Sequence, residues 1–488
     1  MIPVTFSQIA EAVDASDWGT SRPTGGLVSQ DSELTGQIVH DSRKITPGDL
    51  YIALVGETHD GHDFVSNAIE SGAVALVVAK AFATDEALQD MPDTVTVFVV
   101  DDTLQALGRI ANLVLNLAPQ VEVVAVTGSS GKTSVKDLMA QVFAPHGSTI
   151  APPGSFNNEI GLPMTVLQVD RETRYLILEM GARGLGHIRT LTEIARPNIG
   201  VVLNVGSAHA GEFGSIEGTQ QAKQELIEAL GPDGIAILND DDPRVKAMAE
   251  VAPGRVISFG SSSVADVGVA NVDLDELARP SFQLEIAAQV SEQMPDGASL
   301  DIKLKLAGAH NALNSAAAAA AAIAAGIDPE QIAQSLNDAE NLSPGRMNIL
   351  EAADGLTVID DSYNANVESM LAGLKGLAQA GRGRTTWAVL GEMRELGDDS
   401  VMAHDEVGRA VVRLGIDNLI VVGQSARPMF LAAAAEGFYN GESRFADTID
   451  DAEQILGQHL QSNDVVFVKA SRAAGLDQLV TALLEAHN

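Results

Sequence analysis

A chain of 488 residues is longer than one ordinary hydrophobic core can organise, so roughly two to four domains are expected. Hydrophobic content of 45% with 20% charged residues excludes a disordered chain, and the lack of cysteine excludes disulfide staples and thiolate metal ligands, in keeping with a reducing cytoplasm. A net charge of −36 argues against nucleic-acid or anionic-membrane partners, so any phosphate would have to be held locally, by backbone amides, a helix N-terminus and a few Lys or Arg side chains.

In chain order, the N-terminus MIPVTFSQIAEAVDAS has no basic region followed by an apolar core and is not expected to be a secretory signal. The stretches DLYIALVG, AVALVVAK and TVFVVDD read as strands, with helical DFVSNAIESG between the first two. TLQALGRIANLVLNLAPQ reads as a connecting helix, which places a boundary near residue 118. A second block alternates the apolar runs EVVAVTG, YLILEMG, IGVVLNVG and GIAILNDDD with helical patterns. Unbroken Val/Ile/Leu runs belong to strands covered on both faces, and strand–helix alternation implies a mostly parallel sheet. VADVGVANVDLDELARPSFQLEIAAQ and SLDIKLKLAG are hairpin-like and predict an antiparallel annex. SAAAAAAAIAAG (Ser315–Gly326) is too short and too alanine-rich to span a bilayer and is predicted to be a tightly packed helix. After the turn SPG, the runs LTVIDDSY, TTWAVLGEM, NLIVVGQ and DVVFVKAS repeat the alternation. The expectation is an α/β chain of three domains: a smaller N-terminal α/β domain (1–118), a central domain (119–341) with a mostly parallel sheet of the phosphate-loop type, and a C-terminal Rossmann-like α/β domain (342–488).

The chemistry gathers where EVVAV ends. Gly131-Lys132-Thr133 follows a buried strand and opens a helix, the context a phosphate loop needs. Small residues let backbone amides approach phosphate oxygens, Lys132 can reach the β and γ phosphates, and the Thr133 hydroxyl can ligate Mg²⁺. The usual pattern has glycine five residues before Gly131; Val126 stands there, so TGSSGKT is a shorter loop. Ligands of open α/β sheets gather outside the carboxyl ends of the strands. Glu179 stands at one such end and His209 just beyond another. Each alone reads first as a solvated carboxylate or an ordinary histidine; with Lys132 and Thr133 at the same edge they suggest a Mg²⁺–nucleotide site.

The motifs TGSSGKT, LEMG, NVGSAH, AGAHNALNSAAAAAA, SPGR and DDSYNAN, in this order over nearly the whole chain, resemble the Mur ligase family, the ATP-dependent amide-forming enzymes of peptidoglycan precursor synthesis. SFNNEIGLPMTVL, LEMGARGLGHI, DDSYNANVESM and VLGEMRELG resemble the member that joins D-alanyl-D-alanine to UDP-N-acetylmuramoyl-tripeptide, and HDSRKITPGDLYIALVGETHDGHDF resembles the family's uridine-nucleotide-binding domain. The resemblance implies that Gly128, Ser129, Ser130, Gly131, Lys132, Thr133 and Ser134 hold the ATP phosphates. It makes Thr133, Glu179 and His209 metal ligands, with Lys223 as a carbamylated lysine facing the metal. Asn311 and Asn314 would contact adenine, Arg346 would reach the phosphates from the C-terminal domain, and Asp360 and Asn366 would complete the nucleotide site. Lys132, Glu179, His209, Lys223 and Arg346 thus form the implied catalytic set. Ser42, Arg43, Asp60, Gly61 and His62 would face the uridine nucleotide, and Asn157, Asn158 and Glu159 the sugar-peptide.

Read without the resemblance, Lys223 is a solvated helix lysine, Asn311 and Asn314 cap a helix, Arg346 is a surface arginine, and DDSYNAN is a plain strand-to-helix turn. His404 reads equally as a helix-surface residue and stays outside the catalytic set. The implied reaction forms an acyl phosphate from ATP and a peptide carboxylate, which the amine of the dipeptide then attacks. The C-terminal domain would close over ATP and bind the dipeptide. A cytoplasmic monomer is expected, without nucleic acid or membrane insertion. The alternatives are an amino-acid-adding relative, whose DNPR signature is absent, a folylpolyglutamate synthase, a phosphate-loop kinase or NTPase, and a non-catalytic scaffold.

Overall fold

The computed structural model describes residues 1–15, 17–20, 32–56, 58–84, 91–206 and 215–487. Three sheets of mostly parallel strands carry the chain, as expected for its α/β class. The chain forms two compact units, one of Met1–Val123, Gly147–Met180 and Arg189–Pro197, the other of Val124–His146, Gly181–Ile188 and Asn198–Asn488. Among the described residues no helix is long and apolar enough to cross a membrane.

In the first unit, a sheet runs in the order Asp17–Thr20, Thr96–Val100, Ala75–Ala79, Leu50–Ile52, Ile38–Val39, with only the first strand antiparallel. Tyr51, Leu76, Val78 and Val97 fill its core with Val65 and Ala68 of the helix Val65–Glu70. The same unit holds the parallel pair Ser148–Ile150 and Thr173–Glu179.

In the second unit, the strand Glu122–Thr127 pairs through Val124–Thr127 with Ile199–Val202, which continues in parallel to Ile235–Asn239 and Arg255–Gly260. The predicted annex is present: Val267–Leu274, Pro280–Ile286 and Ala298–Lys303 pair antiparallel. The alanine run lies in the helix His310–Ala324, where Ser315 to Ala322 are buried and side chains of one carbon let it pack closely on the helix Lys132–Phe143.

The last sheet runs Asn348–Glu351, Thr357–Asp360, Val465–Lys469, Thr386–Leu390, Asn418–Val422, Ser443–Ala446, with the first strand antiparallel. Its apolar runs are continuous because both faces are covered: Val465 and Phe467 join one core cluster, Val466 and Val468 the other. The helices Val367–Ala380, Ser400–Arg413 and Arg427–Glu436 contribute to the first cluster, and Ile449–His459 and Asp477–His487 to the second. Strand Val465–Lys469 therefore sits between two neighbours whose following helices lie on the opposite face from its own. That arrangement is a topological switch point. The short strands Ser148–Ile150, Asn348–Glu351 and Ser443–Ala446 escape the sequence reading because half-exposed residues fill them and no apolar run marks them.

Candidate active site

The glycine-bearing loop turns sharply before the helix Lys132–Phe143. Gly131 has φ of 82°, which favours glycine, and a Cβ there would crowd Asn314 Oδ1 at 3.2 Å. The helix directs its N-terminal amides and the positive end of its dipole at the loop. The amides of Ser129 and Ser130 donate to Asn204 Oδ1 at 2.9 and 3.0 Å, and Asn204 Nδ2 donates back to the Ser130 carbonyl at 3.2 Å. Asn204 was not singled out from the sequence, although its place just past the carboxyl end of Ile199–Val202 is the signal that could have found it. Lys132 Nζ donates to the Gly128 carbonyl at 2.7 Å.

Arg346 reaches this loop: its Nη2 donates to Thr133 Oγ1 at 3.2 Å. The guanidinium lies over the Tyr363 ring, 4.3 Å from the centroid, and its buried Nε has no hydrogen-bond partner among the described residues. The surface reading of Arg346 is thereby overturned. Beside it, the Met347 amide donates to Asp361 Oδ1 at 3.1 Å, while Lys469 Nζ donates to Asp361 Oδ2 at 2.6 Å and to the Asn364 carbonyl at 2.8 Å. Burial pushes the Lys469 pKa down against the pull of Asp361. This buried pair, which the sequence did not disclose, fastens the arginine-bearing segment to the DDSYNAN turn. Asp360 Oδ1 accepts from the Ser362 amide and hydroxyl at 3.1 and 2.6 Å. Asn366 caps the helix Val367–Ala380 reciprocally with Ser369. Both thus shape the turn.

A cavity of about 250 Å³ opens beside Arg346, lined among others by Ser134, Asp137, Arg279, Lys305 and Asn311. Asn311 is buried; its Nδ2 donates to the Ala307 carbonyl at 2.7 Å, and its Oδ1 accepts from Asn314 Nδ2 at 2.9 Å. These two amides link the wall of the cavity to Gly131.

Lys223 is only 3% exposed, so its reading as a solvated helix lysine is also overturned. Burial, reinforced by the positive charge of Lys132, pushes its pKa down to about 7. A lysine tuned this far is in large part unprotonated near neutral pH, and the neutral amine is the form that takes up CO₂. His209 lies outside the described residues.

In the first unit, buried Glu179 accepts from Ser155 Oγ and Asn157 Nδ2, both at 2.8 Å. Asn158 Oδ1 accepts from the amide of Gly161, the first residue of the helix Gly161–Val166, at 2.8 Å, while Glu159 is half-buried. Ser42 and Arg43 lie in a short 3₁₀ turn capped by Asp41, whose carboxylate pairs with the exposed Arg43 guanidinium and is held down to about 2 mainly by that hydrogen bond. His62 is buried: Nε2 accepts from the Ala79 amide at 2.9 Å, which leaves the proton on Nδ1, donated to Asp60 Oδ1 at 2.6 Å. Gly61 donates to the Leu54 carbonyl at 2.8 Å, and a Cβ there would meet that oxygen at 2.6 Å. The Asp60-Gly61-His62 segment therefore ties a loop to the strand Ala75–Ala79. His62→Ala is expected to leave the Ala79 amide unpaired and to cost about 2 kcal/mol locally, read as faster hydrogen exchange at that amide. His404 is buried with both ring nitrogens engaged, Nδ1 on the Ser400 carbonyl at 2.7 Å and Nε2 on the Met393 amide at 3.0 Å.

Known families match in three segments: residues 36–114 (Mur ligase family, catalytic domain), 126–322 (Mur ligase middle domain) and 345–472 (Mur ligase, glutamate ligase domain). The UDP-N-acetylmuramoyl-tripeptide–D-alanyl-D-alanine ligase of Mycobacterium tuberculosis is 42% identical, with 99% of this chain and 98% of that protein covered. The enzyme of the same name from Escherichia coli is 34% identical over 99% of both. A crystal structure of MurF from Acinetobacter baumannii superposes with a TM-score of 0.85 at 30% identity over 99% of both chains. With a phosphate loop, a guanidinium on its threonine and a buried low-pKa lysine in one unit, and with relatives alike from end to end, the chain belongs to the Mur ligase family.

Proposed function

We propose that the chain is an ATP-dependent ligase that joins D-alanyl-D-alanine to UDP-N-acetylmuramoyl-tripeptide in peptidoglycan precursor synthesis, acting in the cytoplasm. The contact that carries this reading is Arg346 Nη2 on Thr133 Oγ1: the arginine beyond the Ser-Pro-Gly turn meets the phosphate loop. Names of relatives across 99% of the chain, and a MurF structure solved with ADP from Thermotoga maritima (TM-score 0.77, 27% identity, 93% of this chain and 98% of that one), support the same reading. The proposed division of labour is residues 1–118 for the UDP-sugar-peptide, 119–341 for ATP and 342–488 for the dipeptide.

The donor chemistry fits Mg²⁺. The Thr133 hydroxyl and a Lys223 carbamate, both of the second unit, are hard oxygen donors of the kind Mg²⁺ takes. Such a set suits an ion that keeps water and phosphate oxygens as ligands. When bound, Mg²⁺ would neutralise phosphate charge.

The chain's own groups do the rest. In the first step the peptide carboxylate attacks the γ phosphorus; an O–P bond forms and ADP departs with the electrons of the broken one. Two anions must meet, and Lys132 and Arg346 supply the fixed positive charge that offsets their repulsion. In the second step the amine attacks the acyl carbon, loses a proton, and phosphate leaves. The Asn311–Asn314 pair and the cavity beside Arg346 are proposed as the adenine site. Trapping with hydroxylamine tests the scheme. A hydroxamate of the tripeptide, and phosphate release only when ATP, UDP-N-acetylmuramoyl-tripeptide and D-alanyl-D-alanine are all present, are expected. ATP hydrolysis indifferent to both peptide substrates would instead identify an NTPase.

A further inference from the structure

The cavity beside Arg346 lies wholly within the second unit, and most of its polar side chains are already engaged. The Gln141 amide donates to the Glu340 carbonyl and accepts from the Glu340 amide, both at 2.9 Å. Asn341 Nδ2 donates to the Arg346 carbonyl at 3.0 Å, and Asn311 is held by Ala307 and Asn314. Asp137 pairs with the buried Lys136. Arg279, which precedes the strand Pro280–Ile286, differs from all of these. Its backbone is fixed: its amide donates to Asp275 Oδ1 at 2.8 Å, and the Leu304 amide donates to the Pro280 carbonyl at 3.0 Å. Its buried Nε, however, has no hydrogen-bond partner among the described residues. A buried donor is disfavoured in that state unless a ligand completes it.

We infer that Arg279 selects the nucleotide base, its Nε–H donating to a ring nitrogen of adenine. The inference rests on the ligase reading, with the cavity as adenine site, and adds the side chain that reads the base. Position supports it. Ser134, Asp137, Leu138 and Gln141 recur at three- and four-residue spacing on one face of the helix Lys132–Phe143, so the cavity follows that helix away from the phosphate loop. A base attached to phosphates held at Lys132 and Thr133 would lie along that line. Size supports it too. At about 250 Å³ the cavity is smaller than the roughly 300–1,000 Å³ of pockets that enclose a whole drug-sized ligand, and it suits one flat ring system. Buried Leu138 and Met347 supply apolar wall for such a ring. The chemistry then fixes the partner. A guanidinium only donates, so it must meet an acceptor, and the ring acceptors of adenine are N1, N3 and N7. A charge-assisted bond of this kind discriminates strongly against an analogue that lacks the acceptor.

The test replaces the ring nitrogens one at a time with CH, using 1-deaza-, 3-deaza- and 7-deaza-ATP, in the full-length wild type and in Arg279→Met, which keeps the apolar stem. In the wild type, one of the three analogues is expected to raise the nucleotide KM by roughly 10- to 100-fold with kcat little changed. Arg279→Met should raise KM for ATP by a similar factor and lose nothing further with that analogue, while KM for UDP-N-acetylmuramoyl-tripeptide stays unchanged. Arg279→Lys, which keeps the charge but places no N–H at the Nε position, should behave alike. A wild type indifferent to all three analogues, or variants that keep the full penalty, overturn the inference. If the wild type forms no amide with ATP itself, the ligase reading fails instead.

Discussion

Arg346→Ala is expected to lower kcat by about 10³-fold or more, the range seen when an arginine that stabilises phosphoryl transfer is removed. The side chain touches the phosphate loop at Thr133, stacks on Tyr363 and keeps a buried Nε without a partner among the described residues. A buried donor without a partner is disfavoured unless something else is served by the arrangement, and here the guanidinium faces the hydroxyl beside the triphosphate position. Lysine would keep the charge but lose the planar fork and the stacking, so Arg346→Lys should recover little of the rate. Binding of UDP-N-acetylmuramoyl-tripeptide, measured by calorimetry, should be unaffected. A kcat within tenfold of wild type would remove Arg346 from the reaction.

Lys223→Ala is expected to lower kcat by on the order of 10²-fold, and millimolar acetate or formate should restore part of the loss by supplying the missing carboxylate. The pH dependence follows from the depressed pKa. Carbamylation joins the neutral amine nitrogen to CO₂ and releases a proton. With the pKa at about 7, the reactive form grows in as pH rises through 7, whereas an ordinary lysine would stay almost wholly protonated there. At fixed dissolved CO₂, activity of the wild-type enzyme should therefore fall as pH drops below about 7 and recover when CO₂ is raised. Stability of the unmodified protein should move in the same sense. The folded-state pKa lies below the unfolded one, so the unfolded chain binds more protons between about 7 and the ordinary lysine value, and stability rises with pH across that window. A Lys223→Met variant should lack this slope in thermal unfolding. Loss of activity with no rescue by acids, and no carbamate carbon signal with ¹³CO₂, would count against the modification.

Long apolar runs such as EVVAV, AVALVV and DVVFV were legible as strands because burial on both faces admits little but Val, Ile, Leu and Phe. The strand Ser443–Ala446 was not, since its edge position tolerates half-exposed residues. The same division holds at the site. The phosphate loop was visible because its chemistry is local: a left-handed glycine, a lysine and a threonine in consecutive positions. Lys223 and Arg346 read as surface residues without the family, since neither neighbouring sequence nor periodicity reveals that one is buried and the other reaches a loop 213 positions away. Asp361 and Lys469, 108 positions apart, make the same point: a buried ion pair is a property of tertiary approach. Asn366 of DDSYNAN reads as a ligand contact by resemblance, while in the structure it also caps the helix Val367–Ala380, a local duty that the residue type alone suggests.

The grip of Asn204 on the amides of Ser129 and Ser130 bears on how ATP is met. Because a side chain from the neighbouring strand end already holds that bend, its backbone is immobilised when the protein folds, not when nucleotide arrives. Capture of the triphosphate is thereby relieved of freezing those residues, roughly 1–2 kcal/mol for each one already held. The cradle is cast before the guest comes, and discrimination can rest on the fit of the guest alone.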